Sequence, residues 1–432
     1  MSDQHHCEYC LRQQFAAQQE AEEQRRLEEQ AEEQYERPEV PYQKGLVLQV
    51  RAHIPFEPFG NPGYATTFKS RGDEAASTHG QADWCMKHPY PETEPHPDQS
   101  VFNLHLLDEV AVRDGRGAQL LRCEWEGQES RGKPLVAKIF DPMYYARDEV
   151  GKDVTFIAAS DYSCEAASYE DLQKAGVDGV MTPKYYGSWT FDLPIAQDGT
   201  RQVHMVIIEW IDAPTMLSYC EERRIHHIPP QRRLDILAQV FETRAKLAFH
   251  GAESLDLAMR NVLILGDLEN DPTPPRVIFI DFNDSLARNR PNSLYQVAWE
   301  KPPNPMCLYW NKRSAEEFNS WIPEPHLSDM DAFNKWVKSI WGDSDEFCVS
   351  SDFDDILETG SYAALGDSPP PSPLPDTEYW DIDEEEWLPT SDAAKTDPGE
   401  WPPFIPDTEF ESDESCSGSE DSSDETMSNA AC

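Results

Sequence analysis

Apolar and polar positions alternate most regularly between Val101 and Ile211. Three apolar runs, broken by G-R-G and by a polar loop, are typical of adjacent β-strands. They read L-H-L-L-D-E-V-A-V, A-Q-L-L-R-C-E-W and P-L-V-A-K-I-F. Two more strands are predicted at K-Y-Y-G-S-W-T-F and H-M-V-I-I-E-W-I. The pattern therefore predicts a sheet of five strands in this part of the chain.

Apolar residues at helical spacing predict two long helices. The first covers Asp161 to Ala175 and is expected to end before Gly176. The second runs from about Gln231 to Phe249, with its apolar residues on or near one face. A loop, a strand N-V-L-I-L and a strand V-I-F-I-D follow it. This order predicts an α+β, bilobal fold, with a small five-stranded lobe carrying one helix and a larger, mainly helical lobe.

Composition divides the chain into segments of different character. The N-terminal segment is rich in Glu, Gln, Arg and Ala without apolar heptads, which favours a charged helical or disordered arm. Proline and aromatic residues dominate the next segment, which is expected to be irregular. The C-terminal segment is acidic and poor in apolar clusters, so disorder is expected there. The arm is expected at 1–41, the irregular segment at 42–100 and the tail at 346–432. The folded domain is expected at 101–345, with its small lobe at about 101–212 and its large lobe at about 213–345.

The formal net charge of −45 limits the partners that are expected. Nucleic-acid phosphates and anionic lipids repel so acidic a chain, so we expect neither nucleic acid nor a membrane surface as a partner. The 10 Cys residues have no regular spacing, and there is no apolar run of about twenty residues. Both observations favour a reduced protein of the cytoplasm or nucleus.

Both flanks carry motifs with two interpretations each. The N-terminal H-H-C-E-Y-C can supply metal ligands, but no second ligand pair follows nearby, so a solvated terminus is the simpler interpretation. In the tail, D-T-E-Y-W-D-I-D-E-E-E-W-L alternates acidic and aromatic residues. Such a segment is typical of protein-binding disordered regions, although a purely solubilising role explains it as well.

The residue types that phosphoryl transfer requires occur in order along the chain. Lys138 lies in L-V-A-K-I-F, where a lysine that faces a cleft holds nucleotide phosphates. The segment S-L-D-L-A-M-R-N spaces Asp256 and Asn261 like a catalytic-loop Asp and a metal-holding Asn. Asp281 follows the apolar run V-I-F-I. Carboxylate and carboxamide oxygens suit Mg²⁺, so Asn261 and Asp281 are the expected metal ligands.

Glu165, near the start of the predicted helix, is the expected partner of Lys138, because Glu170 would face about 140° away. Taken singly, each residue has an ordinary explanation, such as an edge-strand lysine, an exposed helix charge or a loop residue bonded to its own backbone. Their common order and element context favour the joint interpretation. It predicts an enzyme that uses ATP and Mg²⁺, with Asp256, Lys138 and Glu165 as catalytic residues.

This chain resembles a family of fungal protein-kinase-like proteins between about Val101 and Pro323. The resemblance implies a bilobal kinase-like fold with ATP in the cleft and Lys138 on its phosphates. It also implies a hinge strand that faces adenine, formed by Glu209, Trp210 and Ile211 after Ile208. The segments that carry it are V-A-K-I-F-D-P-M-Y-Y, D-Y-S-C-E-A-A-S-Y-E-D-L, Y-Y-G-S-W-T-F, D-L-A-M-R-N-V-L-I and I-D-F-N.

The chain departs from the kinase pattern at three places. S-L-D replaces H-R-D, which removes a brace of the catalytic loop and the usual partner of an activation-loop phosphate. D-F-N replaces D-F-G, and Asn283 tolerates the left-handed backbone region better than most residues. The loop D-G-R-G-A-Q-L-L keeps Gly115 and Gly117 as candidate phosphate-binding residues but has Leu120 in place of a third glycine, and a plain hairpin turn explains it equally well.

Two functions follow from these observations. The first is an ATP-dependent phosphotransferase whose acceptor is a protein Ser/Thr or a small hydroxyl compound. The alternative is a pseudokinase that binds nucleotide, or only a partner protein, as a scaffold. The complete set of charged residues favours the enzyme, whereas the altered loops favour the scaffold.

Overall fold

The computed structural model describes residues 37–348, apart from 61–62, 66–67, 73–79, 92, 98–99, 128–133, 147–152, 196–198, 269–272, 297–298 and 311. The expectations for residues 1–36, with their Cys/His cluster, and for the acidic tail lie outside the described residues. No helix in the described ranges is both long enough and apolar enough to cross a membrane.

An antiparallel sheet that closes on itself forms the first part of the fold. Its strands run in the order β1-β3-β4-β5-β7-β6, and β6 pairs back to β1, while β2 adds a short pairing at the end of β1. All these pairings are antiparallel. The strands are β1 (Val47–Ile54), β2 (Glu94–Pro95), β3 (Val101–Ala111), β4 (Gln119–Trp125), β5 (Leu135–Phe140), β6 (Tyr185–Ile195) and β7 (Gly199–Glu209).

The expectation of a five-stranded sheet is wrong, because β1 closes the sheet and comes from the segment expected to be irregular. In β1, Leu48 and Val50 are buried while their neighbours are more exposed, which is the alternation of a half-buried strand. Arg51 and Ala52 pair with Thr190 and Trp189 of β6. Closure leaves fewer exposed strand edges than an open five-stranded sheet would have.

Helices and two small ribbons follow or cover the sheet. The helices are α1 (Gln81–Lys87), α2 (Val154–Lys174), α3 (Met216–Glu221), α4 (Pro230–Phe249), α5 (Pro305–Tyr309) and α6 (Met330–Trp341). Short 3-10 turns lie at Pro142–Tyr144, Arg224–His227, Met259–Asn261 and Lys312–Phe318. One antiparallel ribbon pairs β8 (Ala252–Ser254) with β11 (Ser285–Ala287), and another pairs β9 (Val262–Leu265) with β10 (Arg276–Phe279).

Helix α2 starts earlier than the sequence pattern predicts, at Val154 rather than Asp161. The Asp153 side chain accepts a hydrogen bond from the Phe156 amide at 3.0 Å and so caps the helix. The same carboxylate accepts the Trp84 indole at 3.1 Å. This cap places Glu165 in the middle of α2 rather than near its start.

The apolar cores do not follow the expected boundary between two lobes. One cluster fills the sheet and includes Leu121 and Met205. The other extends from Val136 and Val206 of the sheet to Phe241 of α4 and to the helices beyond. Because this second cluster contains residues from both expected lobes, the division into two lobes is less sharp than the sequence pattern predicts.

A buried ion pair fixes the chain just beyond β5, the strand that carries Lys138. Asp141 is fully buried, and Arg201 of β7 donates to it at 2.7 Å. The Tyr42 hydroxyl donates to the same carboxylate at 2.5 Å. Removing the cation from such a pair is costly, because it leaves a buried charge without its partner.

We expect Arg201→Met to lower the free energy of unfolding by about 3 kcal/mol, because Asp141 then stays buried without a cation. The matched control is Arg51→Met, which breaks the exposed Arg51–Asp192 pair and is expected to cost less than about 1 kcal/mol. Urea denaturation followed by tryptophan fluorescence measures both. Equal losses in the two variants would contradict the importance of the buried pair.

Candidate active site

The β9–β10 ribbon brings two of the predicted site residues to one end. Val262 of β9 pairs with Phe279 of β10, so the residue before β9 lies beside the residues after β10. The Ile280 amide donates to the Asn261 carbonyl at 3.0 Å, which continues the pairing. Asn261 and Asp281 are therefore neighbours in space because the ribbon places them there.

The β8–β11 ribbon holds the Asp256 loop beside the chain that follows Asp281. Ser254 of β8 pairs with Ser285 of β11. The Leu255 amide then donates to the Asp284 carbonyl at 3.0 Å. Two adjacent ribbons thus fix the loop and the strand end relative to each other through backbone hydrogen bonds alone.

Lys138 lies in the middle of β5, between β4 and β7, where it pairs with Leu120 and Val206. Its side chain is buried. The amine donates to Glu165 Oε2 at 2.6 Å and also to Asp281 Oδ1. One ammonium group therefore joins the sheet, helix α2 and the end of the β9–β10 ribbon.

Glu165 is fully buried, and one of its carboxylate oxygens accepts two hydrogen bonds. Its Oε2 accepts the Lys138 amine and also the Phe282 amide, the latter at 3.0 Å. The Phe282 ring packs edge-on against Tyr169, one turn further along α2. Glu170 points away from this site and pairs with Arg290 instead, as helical rotation predicts.

The backbone at Asp281 is in the left-handed region, with φ of 67°. The sequence pattern had directed attention to Asn283 as the residue that tolerates such angles, but the positive φ belongs to the aspartate itself. Asp is among the residues that enter this region most readily after glycine. The turn directs the carboxylate towards Lys138, while the next residue, Phe282, is anchored on α2.

Burial and charge act in opposite directions on the three ionisable groups. Burial alone would lower the pKa of Lys138, but attraction by Asp281 and Glu165 outweighs it and raises that pKa. Burial would raise the pKa of Asp281, but Lys138 overrides it, with help from Arg260 and Arg116, so that pKa is lowered. The Lys138 amine and the Asp281 carboxylate are therefore both charged near neutral pH.

Glu165 differs from Asp281, because burial is the larger effect on it. Desolvation raises the pKa of Glu165 to about 7, although the Lys138 charge opposes the shift. Its second oxygen, Oε1, is buried and has no hydrogen-bond partner among the described residues. Only the Oε2 oxygen of this carboxylate is therefore hydrogen-bonded among the described residues, and its partners are the Lys138 amine and the Phe282 amide.

Asp256 is partly exposed and is held by its own loop. Arg260 donates to its two carboxylate oxygens at 2.8 and 2.7 Å. The Asn261 side-chain amide donates to the Asp256 carbonyl and to Oδ2, both at 3.0 Å. Asn261 itself is buried. The loop therefore fixes the direction of the predicted catalytic carboxylate.

The residues predicted to form a hinge lie where β7 leaves the sheet. Ile208 is buried near the end of β7, and Glu209 is its last residue. The Glu209 amide donates to the Lys184 carbonyl at 2.8 Å. Ile211 follows, partly buried, on the way to α3. These positions lie on the connection from the sheet to the helices.

The loop between β3 and β4 packs onto the chain that follows β5. Gly115 has φ of 76°, and its amide donates to the Tyr144 carbonyl at 3.0 Å. A Cβ atom on Gly117 would lie 3.9 Å from the Tyr145 ring. The loop that contains both candidate glycines is thus fixed beside the strand that carries Lys138.

Sequence reasoning missed two charged residues that act on this site. Asp161 lies one helical turn before Glu165, accepts the Tyr145 hydroxyl at 3.2 Å and is attracted by the charge of Lys138. Arg116, between the two glycines, contributes positive charge towards Asp281. The four-residue spacing from Glu165 is the signal that would have found Asp161. Arg116 carried no such signal, because loop geometry determines its position.

The oxygen donors present are of the kind that bind Mg²⁺. Among the described residues, no three His, Cys, Asp or Glu side chains gather into a metal centre. Mg²⁺ commonly takes only one or two protein carboxylates and completes its shell with phosphate oxygens and water. Asp281 and the neighbouring Asn261 provide hard oxygens of this type.

Comparisons with known proteins give limited similarity. No protein-family model matches the chain, and no curated protein matches it. The BubR1 kinase domain is 14% identical with a TM-score of 0.30, over 46% of this chain and 51% of that chain. WaaP, solved in complex with acyl carrier protein, is 16% identical with a TM-score of 0.31, over 54% of this chain and 88% of that chain. Neither similarity is large enough to place this chain in a family.

The Asp161 carboxyl makes stability depend on pH. Burial raises its pKa to about 7, whereas an unfolded Asp titrates near about 4. Between these values the folded state binds more protons than the unfolded state, so this group makes the protein less stable as pH rises. Asp161→Asn removes the effect.

We compare the free energy of unfolding of Asp161→Asn with that of wild type at each pH. We expect this difference, variant minus wild type, to increase by at least about 1 kcal/mol when the pH is raised from about 5 to about 8. Urea denaturation at several pH values measures the difference between the two proteins, so that other titrating groups cancel. The control is Asp192→Asn, at an exposed carboxylate on β6. A difference that does not change with pH, or that falls as pH rises, would contradict the raised pKa of Asp161.

Proposed function

We propose that this chain is an ATP- and Mg²⁺-dependent phosphotransferase with a protein-kinase-like fold, and that its acceptor is a hydroxyl group of a protein Ser/Thr or of a small compound. One observation carries the proposal. The Lys138 amine lies between Glu165 and Asp281, which come from distant parts of the chain. A buried amine that is held beside a carboxylate able to bind Mg²⁺ suits the binding of a triphosphate.

Phosphoryl transfer depends mainly on positioning and on charge, so a few fixed groups are sufficient. In the proposed enzyme, Lys138 binds nucleotide phosphates, and Glu165 keeps the amine directed into the site. Asn261 and Asp281 would hold Mg²⁺, which when bound offsets the negative charge of the phosphates. The positive charge of Arg116 would add to this on the side of the β3–β4 loop.

Asp256 would orient the acceptor hydroxyl. Its carboxylate is partly exposed, as an acceptor requires, yet Arg260 and Asn261 fix its direction. A group held in this way presents an oxygen at a constant position. This lowers the activation barrier, because the entropic cost of orienting the reacting groups is already met. The hinge residues Ile208, Glu209 and Ile211 would face the base of the nucleotide.

One observation favours the second candidate function, a nucleotide-binding scaffold without turnover. Arg260 donates to both oxygens of Asp256, which leaves that carboxylate engaged with the protein. If an acceptor does not displace this guanidinium, the site binds nucleotide but transfers no phosphate. The scaffold would then act through protein partners.

We expect Asp256→Asn to lower Mg²⁺-dependent ATP turnover by at least about 100-fold, because the orienting carboxylate is lost. The same variant should keep the thermal stabilisation that Mg²⁺ and ATP give to the wild type, since Asp256 is not among the proposed metal ligands. Turnover is measured as phosphate release, and binding as the shift in melting temperature. Asp235→Asn, an exposed carboxylate on α4, is the matched control and should match wild type.

Equal turnover in wild type and Asp256→Asn would refute the enzyme. A wild-type protein that is stabilised by Mg²⁺ and ATP but shows no turnover would favour the scaffold. In that case Arg260→Ala tests the reason, because releasing Asp256 should then allow turnover if Arg260 alone prevents it.

A further inference from the structure

A segment before β3 crosses α2 and reaches the chain that follows Asp281. We call residues 56–60 and 63–65 the strap. Ser160 of α2 donates to the Phe59 carbonyl at 2.8 Å, and Cys164 donates to the same carbonyl at 3.5 Å. A Cβ atom on Gly60 would lie 1.9 Å from Ser160 Oγ, so only glycine allows this approach. Cys164 is the residue before Glu165.

Beyond α2, the strap pairs with the chain after β11. The Leu294 amide donates to the Gly63 carbonyl at 2.8 Å, and the Ala65 amide donates to the Asn292 carbonyl at 2.8 Å. The Asn292 side chain also donates to the Pro58 carbonyl at 2.7 Å. The strap is therefore held on the middle of α2 by side-chain hydrogen bonds and on residues 292–294 mainly by backbone hydrogen bonds.

Tyr64 makes the contact that matters most for the site. Its hydroxyl donates to the Ser285 carbonyl at 3.1 Å and accepts the Ala287 amide at 2.6 Å. These two backbone groups lie on the side of β11 that does not pair with β8. On the β8 side, the Arg288 amide donates to the Gly251 carbonyl instead. The Tyr64 hydroxyl thus satisfies two backbone groups of β11 that a third strand would otherwise bond.

The Tyr64 ring also joins the two parts of the site that Lys138 bridges. Tyr64 packs with Cys164 of α2 and with Leu286 of β11 in a small buried cluster. Cys164 adjoins Glu165, and β11 begins four residues after Asp281. The ring and its hydroxyl therefore hold α2, which supplies Glu165, and β11, which follows Asp281 closely in the chain.

We propose that Tyr64 is a positioning residue for the site, acting through β11 and α2 on Asp281 and Glu165. The effect on catalysis rests on the proposed function, whereas the effect on β11 does not. In Tyr64→Phe the ring still fills its place, but the Ser285 carbonyl and the Ala287 amide both lose a buried hydrogen-bond partner. They recover a partner only if β11 moves or opens to water, and such movement displaces the Asp281 turn.

The matched control is Tyr309→Phe, which removes another buried tyrosine hydroxyl. Arg244 donates to that hydroxyl at 3.0 Å, and Tyr309 packs on Phe241 of α4. None of these residues belongs to the strap, to β11 or to the proposed site. A role in overall stability alone would therefore make the two variants behave alike.

The experiment uses the full chain and two kinds of measurement. The first is hydrogen exchange at the amides of residues 282–288 together with the rate at which a maleimide labels Cys164, both read by mass spectrometry. The second is the dissociation constant for ATP in the presence of Mg²⁺. We expect Tyr64→Phe to increase the exchange and labelling rates roughly tenfold and to weaken nucleotide binding roughly tenfold, with Tyr309→Phe close to wild type in all three.

Exchange and labelling rates in Tyr64→Phe that equal those of Tyr309→Phe would overturn the proposal. If the rates rise but the affinity for nucleotide does not change, Tyr64 holds β11 without positioning the site, and the proposal also fails. If wild type binds no nucleotide, the proposed function fails. The exchange and labelling rates then still decide whether Tyr64 holds β11 and α2 together.

Discussion

The Lys138 amine lies buried between two carboxylates that come from different parts of the chain. Taking the Lys138 amine and the Glu165 carboxylate out of water is costly, and only close contact between opposite charges offsets the cost. Glu165 comes from the middle of α2, and Asp281 comes from the end of the β9–β10 ribbon. Loss of the amine leaves both carboxylates without their shared cation, whereas loss of either carboxylate leaves the amine with a single partner. The relative positions of sheet, helix and ribbon therefore depend on this single amine.

Contacts outside this triad hold the segment that follows Asp281. Backbone pairing with β8 holds β11 on one side, and Tyr64 holds it on the other. Arg290 donates to the Ala167 carbonyl and to Glu170, which fixes the following chain on α2. The segment after Asp281 is therefore anchored on β8, on Tyr64 and on α2.

Local patterns in the sequence were sufficient for much of the fold. Period-two and helical spacing predicted the strands β3 to β7 and the helices α2 and α4, since each pattern reflects which face of that element is buried. Strand β1 was missed because the proline-rich residues around it hid a short alternation whose partners, β3 and β6, are distant in sequence. The early start of α2 was missed because the Asp153 cap lies before the periodic residues.

The candidate site shows the same division between local and long-range information. Lys138, Glu165 and Asp281 were identified from motif order, and the structure brings these three side chains together. Asp161, Arg116 and Tyr64 were not identified, because their importance depends on which distant segment packs beside them. The role of each site residue in catalysis stays a prediction.

The most direct test of the central claim is isothermal titration calorimetry with a non-hydrolysable ATP analogue, with and without Mg²⁺, on wild type and on Asp281→Asn. The buried amine and its two carboxylates predict one binding event per chain in wild type, which requires Mg²⁺ and is lost in the variant. Absence of binding to wild type, or binding that is the same without Mg²⁺ and in Asp281→Asn, would contradict the account.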